Sequence, residues 1–266
     1  MSIGQQELDE VLERFADACR ADQRIVAGYL TGSHVTGMAD AHSDVDLCVV
    51  ATDGQRDAVW ADRGLIVRRL GDPLQIEDFD GHDTVFFILA GGADGELTVT
   101  DVGAMAQSSR GPHRAVHDPD GILASVAFVG GEPDANAQVE QLRRCVQWFW
   151  HDMAHFTAAL GRGQPWWAAG QLDALRGYCV NLARLRADFM GHLDAFDKLD
   201  AAVPAGDLAQ LAPTYVPFNP VQMLVAARTM ADYYRDVVPD LAAAHGIPYP
   251  TELEALMRAR LDALEP

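Results

Sequence analysis

The residues best suited to carry chemistry in this chain lie in one short stretch near its N-terminus. The pair Gly32-Ser33 is followed, after nine residues, by Ser43-Asp44-Val45-Asp46. Residues two apart in a strand point to the same face, so Asp44 and Asp46 are expected to direct both carboxylates to one place. Carboxylate oxygens on a rigid strand suit Mg²⁺ when phosphate oxygens and waters supply its remaining ligands.

The Gly32-Ser33 pair is predicted to form a turn between a strand and a helix. Free backbone N–H groups and a hydroxyl at such a turn can hold phosphate oxygens. Gly32 has no Cβ and therefore allows a close approach of the backbone. Gly32 and Ser33 are thus the candidate phosphate-binding residues of this turn.

The elements that must position this stretch follow from apolar spacing. The N-terminal half alternates helical and strand patterns. We predict helices over 5–20 and 55–70, strands over 25–33, 44–51, 73–79, 84–90 and 96–104, and a strand, turn and short helix over 113–128. The segments 84–90 and 96–104 are expected to pair as a hairpin.

The pattern of apolar residues changes at about 131–135, and beyond this point only helical patterns occur. Amphipathic helices are predicted over 136–161, 165–190, 218–245 and 251–264. We therefore predict an α+β fold with two domains. A small mixed-sheet α/β domain spans residues 1–133, and an all-α domain spans residues 134–266.

The motif resembles the signature of a known superfamily. Gly32, Ser33, Ser43, Asp44 and Asp46 match the pattern of the polymerase-β-like nucleotidyltransferases. The resemblance implies a site with Mg²⁺, expected as two ions held by the aspartates, and ATP as co-substrate. It also implies phosphoryl transfer, with the triphosphate bound by Gly32, Ser33 and Ser43. A nucleoside monophosphate would pass to a hydroxyl, with release of pyrophosphate.

That superfamily also uses a third acid from a neighbouring strand. Asp101 is the preferred candidate, as catalytic residue and metal ligand, because an acid on the apolar face of Leu97 and Val99 is costly to bury without a partner such as a metal. The segment 96–101 is also similar to one in aminoglycoside adenylyltransferases, where an acid at this position serves as metal ligand or general base. Glu96 is the alternative.

Two segments of the second half are similar to helical-domain stretches of antibiotic nucleotidyltransferases, 161–185 and 244–261. This likeness implies a helical domain that binds substrate or nucleotide, and an aminoglycoside-like acceptor. A lincosamide or another small molecule is the alternative acceptor. A protein- or RNA-modifying enzyme and a non-catalytic nucleotide-binding module remain as alternative functions.

Four polar residues of the helical domain are further candidates for the site. Lys198, the only lysine, and Arg176 are expected to contact ATP, and Asp152 and Asp173 the substrate. Each has an alternative, because Lys198 could be a solvated side chain and Asp173 could pair with Arg176 one helical turn away. His151 and His155 have the spacing of a zinc pair, but a place beside a substrate pocket is favoured over metal binding.

The composition narrows the class of partner. With 20 basic and 39 acidic residues the formal charge is −19, which argues against nucleic acid and suits a cationic small molecule. No apolar run is long enough to span a membrane. The four cysteines form no CxxC pair and predict a reducing, cytoplasmic setting. A monomer and a homodimer both remain open.

Overall fold

The computed structural model describes residues 5–40, 42–79, 81–109, 111–129, 134–191 and 196–264. The chain divides into two compact units, Met1–Glu132 and Pro133–Pro266. The boundary predicted from the sequence lies one residue from this division.

The first unit is built on a six-stranded mixed sheet, as far as its described residues show. The strands are β1 (Ile25–Leu30), β2 (Val45–Ala51), β3 (Pro73–Asp78), β4 (Thr84–Leu89), β5 (Asp94–Asp101) and β6 (Arg114–His117). Their order is β3-β4-β5-β2-β1-β6. β2 and β5 run parallel, whereas the other neighbouring pairs are antiparallel. The predicted hairpin of β4 and β5 is present.

Five helices accompany the sheet in the described part of this unit. They are α1 (Gln5–Arg20), α2 (Ser33–Thr36), α3 (Arg56–Ala61), α4 (Arg63–Leu70) and α5 (Met105–Ser108). A 3₁₀ turn follows at Ile122–Ser125. The single helix predicted over 55–70 is divided at Asp62, which caps both halves.

The two faces of the sheet are covered unequally. Odd-numbered residues of β2 and β5, such as Leu47 and Leu97, pack with α1, α3 and α4 in a large apolar core. On the opposite face a smaller core covers only β1 and β2, and includes Cys48 and Phe128. The even-numbered residues of β5 are polar and belong to neither core. This uncovered polar row lies beside the residues predicted to carry chemistry.

The second unit is helical throughout its described residues. Its helices are α6 (Ala135–Gly161), α7 (Pro165–Ala187), α8 (Leu199–Ala202), α9 (Ala205–Leu211), α10 (Pro220–Ala244) and α11 (Thr251–Asp262). Fully buried aromatic rings hold the long helices together, and Phe149 of α6 stacks on Tyr234 of α10 at 4.4 Å between ring centroids. A mixed-sheet unit followed by a helical unit confirms the predicted fold class.

None of the helices in these described ranges combines the length and the apolar character needed to cross a bilayer. All four cysteines are buried and free.

The backbones of β2 and β5 approach each other closely at Gly95. A Cβ built on Gly95 would lie 2.2 Å from the carbonyl oxygen of Val45, which is too close for two non-bonded atoms. These two residues are partners in the parallel register. Gly95 is therefore the residue that lets β5 lie against β2 next to Asp46.

We expect Gly95→Ala to destabilise the first unit by about 1–3 kcal/mol, because the backbone of β2 must shift to admit the methyl group. Hydrogen exchange of the β2 and β5 amides, measured by mass spectrometry, should accelerate. The control is Gly170→Ala on α7, where an added Cβ meets nothing within 4 Å, and which should stabilise the protein by about 0.5–1 kcal/mol. Equal exchange in the Gly95 variant and the wild type would contradict the prediction.

Candidate active site

The pairing of β2 with β5 brings two acids together across neighbouring strands. In the parallel register Asp46 lies opposite Glu96, so both side chains leave the sheet on the same face. Asp44 lies one residue before β2 begins. It is two residues from Asp46, the spacing that puts both side chains on the same face. All three acids are half-buried. The structure thus collects Asp44, Asp46 and Glu96 at one end of two parallel strands.

The Gly-Ser turn is fitted to the carboxylate of Asp46. Gly32 has φ of 72°, in the left-handed region that favours glycine. A Cβ built on Gly32 would lie 1.8 Å from Asp46 Oδ2, so the carboxylate occupies the space of the missing side chain. The N–H of Thr31 also donates to the carbonyl oxygen of Asp46 at 3.0 Å. The turn and the acid-bearing strand therefore form one rigid feature.

Two polar atoms beside this turn are buried with no hydrogen-bond partner among the described residues. They are Ser33 Oγ and His34 Nε2. A buried polar group without a partner costs free energy, and such groups are explained when a ligand completes them. Phosphate oxygens would accept hydrogen bonds from both side chains when these act as donors. This supports the prediction of a phosphate site at Gly32 and Ser33.

Ser43 has a different local role. Its hydroxyl oxygen accepts the N–H of Asp40 at 2.8 Å, and the hydroxyl lies 3.4 Å from Asp40 Oδ1. These contacts close the loop that leads into β2. Ser43 therefore shapes the approach to Asp44, and its predicted contact with phosphate stays a prediction.

The acids repel one another and are partly removed from water. Burial, followed by the negative charge of Asp44, raises the pKa of Glu96. A divalent cation would relieve both effects, and carboxylates are the hard ligands that Mg²⁺ prefers. No group of three or more protein ligands converges on one point within the part of the chain that is described. Mg²⁺ is commonly bound by one or two carboxylates with phosphates and waters, so a pair of these acids fits this ion without a third protein ligand.

A cleft of about 310 Å³ opens at these acids. Hydroxyl-bearing side chains from β4, β5 and the segment after α5 line it. The lining residues include Thr31, Gly32, Asp46, Thr84, Glu96, Thr98, Ser108 and Ser109. Sequence reasoning missed its hydroxyl groups, although the alternation Glu96-Leu97-Thr98-Val99-Thr100 already indicates a strand with one polar face.

Asp101 is not brought to the other acids, contrary to the preferred prediction for the third acid. It pairs with Ala51 at the far end of β2, five residues beyond Glu96, which is about 16 Å along a strand. Its side chain points to the opposite face of the sheet from that of Glu96. Asp101 Oδ1 accepts the N–H of Ala104 at 2.9 Å. The register therefore favours the alternative, Glu96. The spacing of β5 could not reveal this, because only pairing with β2 fixes which residue faces Asp46.

Arg176 is committed to the packing of the helical unit, contrary to its predicted contact with ATP. Its guanidinium is buried and donates to Thr214 Oγ1 at 3.3 Å, to the Thr214 carbonyl at 2.8 Å, and to Asp173 Oδ1. It also lies over the ring of Tyr215 at 4.3 Å. Asp173 itself is 76% exposed, so the alternative of an ion pair is the one observed.

Lys198 lies eleven residues beyond the end of α7. It caps α8 with φ of 49°, a left-handed conformation that is uncommon outside glycine. Its side chain is 81% exposed and its Nζ lies 3.5 Å from Asp197 Oδ2. The described contacts match the solvated alternative, and binding of ATP by Lys198 stays a prediction.

Asp152 is the centre of a polar cluster on α6 and α7. Asp152 Oδ2 accepts the hydroxyl of Tyr178 at 2.9 Å, and Asp152 Oδ1 lies 2.8 Å from His151 Nδ1. Burial and this hydrogen bond raise the pKa of Tyr178 to about 12. His151 Nε2 lies 3.3 Å from His155 Nε2, and the ring of His155 is beside Trp167. The cluster presents an acid and aromatic rings, and its contact with substrate stays a prediction.

Comparisons with known proteins agree with the geometry of the first unit. Residues 12–81 match the family model described as a nucleotidyltransferase domain. The matched segment contains the Gly-Ser turn and both aspartates but ends before β5. The first unit thus contains a nucleotidyltransferase domain, and the predicted class of enzyme is confirmed at this level.

Among solved structures, the chain is similar to the crystal structure of an aminoglycoside 6-adenyltransferase from Bacillus subtilis. The two are 14% identical with a TM-score of 0.45, and the alignment covers 98% of this chain and 99% of that one. A likeness of this extent supports no argument about function. No curated protein matches the chain.

Replacing Glu96 by Gln should stabilise the metal-free protein near neutral pH. The pKa of Glu96 is raised in the folded state, so its ionised form opposes folding at pH values above that pKa. In EDTA at pH 7, urea unfolding of Glu96→Gln should have the higher midpoint. The difference should vanish towards about pH 4, where a carboxyl is protonated in both states. Asp94→Asn, an exposed change on the same strand, is the control, and an unchanged midpoint at pH 7 in Glu96→Gln would refute the prediction.

Arg176→Lys should destabilise the helical unit by about 1–3 kcal/mol, because a lysine cannot replace the forked contacts to Thr214 and leaves buried acceptors unsatisfied. Asp173→Asn is the matched control and should cost less than about 1 kcal/mol, as expected for an exposed ion pair. Urea unfolding followed by circular dichroism at 222 nm gives both values. A loss of nucleotide affinity in Arg176→Lys without loss of stability would instead favour the original prediction.

Proposed function

We propose that this protein catalyses the Mg²⁺-dependent transfer of AMP from ATP to a hydroxyl of a small, cationic molecule of the aminoglycoside type, with release of pyrophosphate. The observation that carries the proposal is the register of β2 and β5. It sets Glu96 opposite Asp46, next to a Gly-Ser turn that has no room for a side chain. A lincosamide-like molecule remains the alternative acceptor.

In this proposal the residues of the turn bind and orient the nucleotide. Ser33 and the backbone at Gly32 hold phosphate oxygens, which gives Ser33 Oγ the partner it lacks within the described chain. Asp44, Asp46 and Glu96 hold two Mg²⁺ ions, and Glu96 takes the place first predicted for Asp101. The ions, when bound, neutralise the negative charge of the phosphates and stabilise the charge that develops on them.

The acids also act on the acceptor. A hydroxyl must lose its proton as it attacks phosphorus, and a carboxylate within hydrogen-bond reach can accept that proton. Glu96 lies on the polar face that lines the cleft, so an acceptor hydroxyl in the cleft reaches its carboxylate. The main contribution of the protein is then the positioning of two reactants beside one another.

The nature of the acceptor is supported by charge. The formal charge of −19 and the acids at the cleft attract a polycation and repel a nucleic acid. Asp152, which is largely buried and already accepts two hydrogen bonds, and exposed Asp173 are proposed to contact the amines of this substrate. A cytoplasmic location, where ATP is plentiful, is part of the proposal and is supported by four free cysteines.

Asp44→Asn and Asp46→Asn should each lower the rate of pyrophosphate release at least about 100-fold, because each removes a charged ligand from the Mg²⁺ ions that would neutralise the phosphates. Glu96→Gln should lower it by a similar factor. The assay is pyrophosphate release from ATP and Mg²⁺ across a panel of aminoglycosides and lincosamides. Melting temperatures of all variants establish that they are folded.

Asp53→Asn, an exposed aspartate just beyond β2, is the matched control and should keep the wild-type rate. Full activity in Asp44→Asn or Asp46→Asn would remove the proposal. A wild-type protein that binds ATP but turns over no member of the panel would remove the proposed class of acceptor.

A further inference from the structure

β5 is longer than its neighbour β4, and this leaves a notch at one edge of the sheet. The last partners in the register of the two strands are Thr84 and Thr98. β5 continues to Asp101, and on this side the N–H of Val99 donates to the carbonyl of Asp83 at 2.9 Å. Beyond that point no strand pairs with β5 on its β4 side within the described residues.

The notch forms a cavity of about 360 Å³, which we call the edge cavity. Its lining comes from β5, the start of β4, α3 and α5, and includes Arg56, Asp83, Thr84, Thr98, Thr100, Asp101, Gln107 and Ser108. Three of these residues, Thr84, Thr98 and Ser108, also line the cleft at the catalytic acids. The edge cavity and the cleft are therefore neighbours along one strand.

Hydroxyl groups dominate the boundary between the two cavities. The hydroxyls of Thr84 and Thr98 lie 2.8 Å apart, and Ser108 Oγ donates to Thr100 Oγ1 at 2.5 Å. A hydroxyl has one donor and two acceptor sites, so each pair retains unused hydrogen-bonding capacity. Such a lining suits a ligand that is itself rich in hydroxyls.

Charge at the far end of the edge cavity favours a cation. Arg56 forms an ion pair with Asp83, which leaves the pair without net charge. One oxygen of the Asp101 carboxylate accepts the N–H of Ala104, and the carboxylate has further acceptor sites. The net charge contributed by these three side chains is therefore negative. A phosphate group would be repelled there, whereas an ammonium group would be bound.

We propose that the edge cavity is the acceptor subsite, in which Thr98 and Thr100 bind hydroxyls of an aminosugar and Asp101 binds one of its amines. The inference rests on the proposed function and deepens it, because it names the part of the site that selects the acceptor. It also gives a role to Asp101, which the register excludes from the metal site.

The dimensions agree with this assignment. Glu96 and Asp101 are five residues apart on β5, so they are about 16 Å apart along the strand. Their side chains leave opposite faces of the strand, so an acceptor of two or three sugar rings with one hydroxyl near Glu96 must pass around the unpaired edge of β5 for an amine at its other end to reach Asp101. A single-ring acceptor would leave one of the two contacts unmade.

The test is calorimetric titration of the full chain with kanamycin A and with streptomycin, in Mg²⁺ and a non-hydrolysable ATP analogue. Asp101→Asn keeps the acceptor for the Ala104 N–H but removes the charge. We expect it to weaken binding of the aminoglycoside by about tenfold, the loss typical of one charged hydrogen bond. Thr100→Val should weaken it about threefold, while the affinity for the ATP analogue stays within twofold in both variants.

Asp94→Asn, at the opposite end of β5 and exposed, is the matched control and should bind like the wild type. Melting temperatures show whether Thr100→Val, a buried position, is folded, and Asp101→Asn decides the test if it is not. Unchanged aminoglycoside affinity in Asp101→Asn, an equal loss of affinity for the ATP analogue, or a wild type that binds neither aminoglycoside would each overturn the assignment.

Pyrophosphate release, measured separately, distinguishes this inference from the proposed function. If the wild type binds kanamycin A and Asp101→Asn weakens it, but no pyrophosphate is released, the subsite stands and the proposed reaction fails. If pyrophosphate is released and the variants bind the acceptor normally, the reaction stands and the subsite fails.

Discussion

The parallel pairing of β2 with β5 brings Asp46 and Glu96 beside one another. The arrangement of the whole candidate site depends on this pairing. Like charges on adjacent strands oppose folding, and burial, followed by the charge of Asp44, raises the pKa of Glu96. The strands nevertheless approach so closely that a Cβ at Gly95 would overlap the backbone of β2. Asp46 is also pressed against Gly32. Half-buried acids held beside one another are typical of functional sites, where a bound cation can compensate their repulsion.

The unequal covering of the sheet explains where the cavities lie. One face of the sheet is closed by three helices and a continuous apolar core. The other face is closed only over β1 and β2 by the segment after β5. The polar side chains of β5 therefore line open space instead of a core. Because β4 begins only at Thr84, opposite Thr98, this open space extends around the edge of the sheet. A single strand, β5, therefore borders both the cleft at Asp46 and Glu96 and the edge cavity.

The helical unit shows how often a charged residue serves the fold. Arg176 joins α7 to the turn at Thr214, buried Asp207 pairs with Arg186, and buried Glu254 accepts Arg258 at 2.7 Å. Buried charges are tolerated when they are paired. The pair of Asp207 with Arg186 joins α9 to α7, whereas Glu254 and Arg258 pair within α11. Spacing along one helix does not distinguish such a residue from one that faces a ligand.

The sequence by itself determined most of the local structure and the core of the site. Apolar periodicity was sufficient for the long helices and all six strands, and the two-residue spacing of Asp44 and Asp46 was sufficient to place their carboxylates on one face. Short helices such as α5 and α8 were not predicted, because a single turn has too few residues to show a period. Only the tertiary structure shows which acid of β5 lies beside Asp46. The choice between Glu96 and Asp101 depends on the register of β5 against β2. This register is a contact between segments some fifty residues apart, so it cannot be predicted from the sequence pattern of either strand.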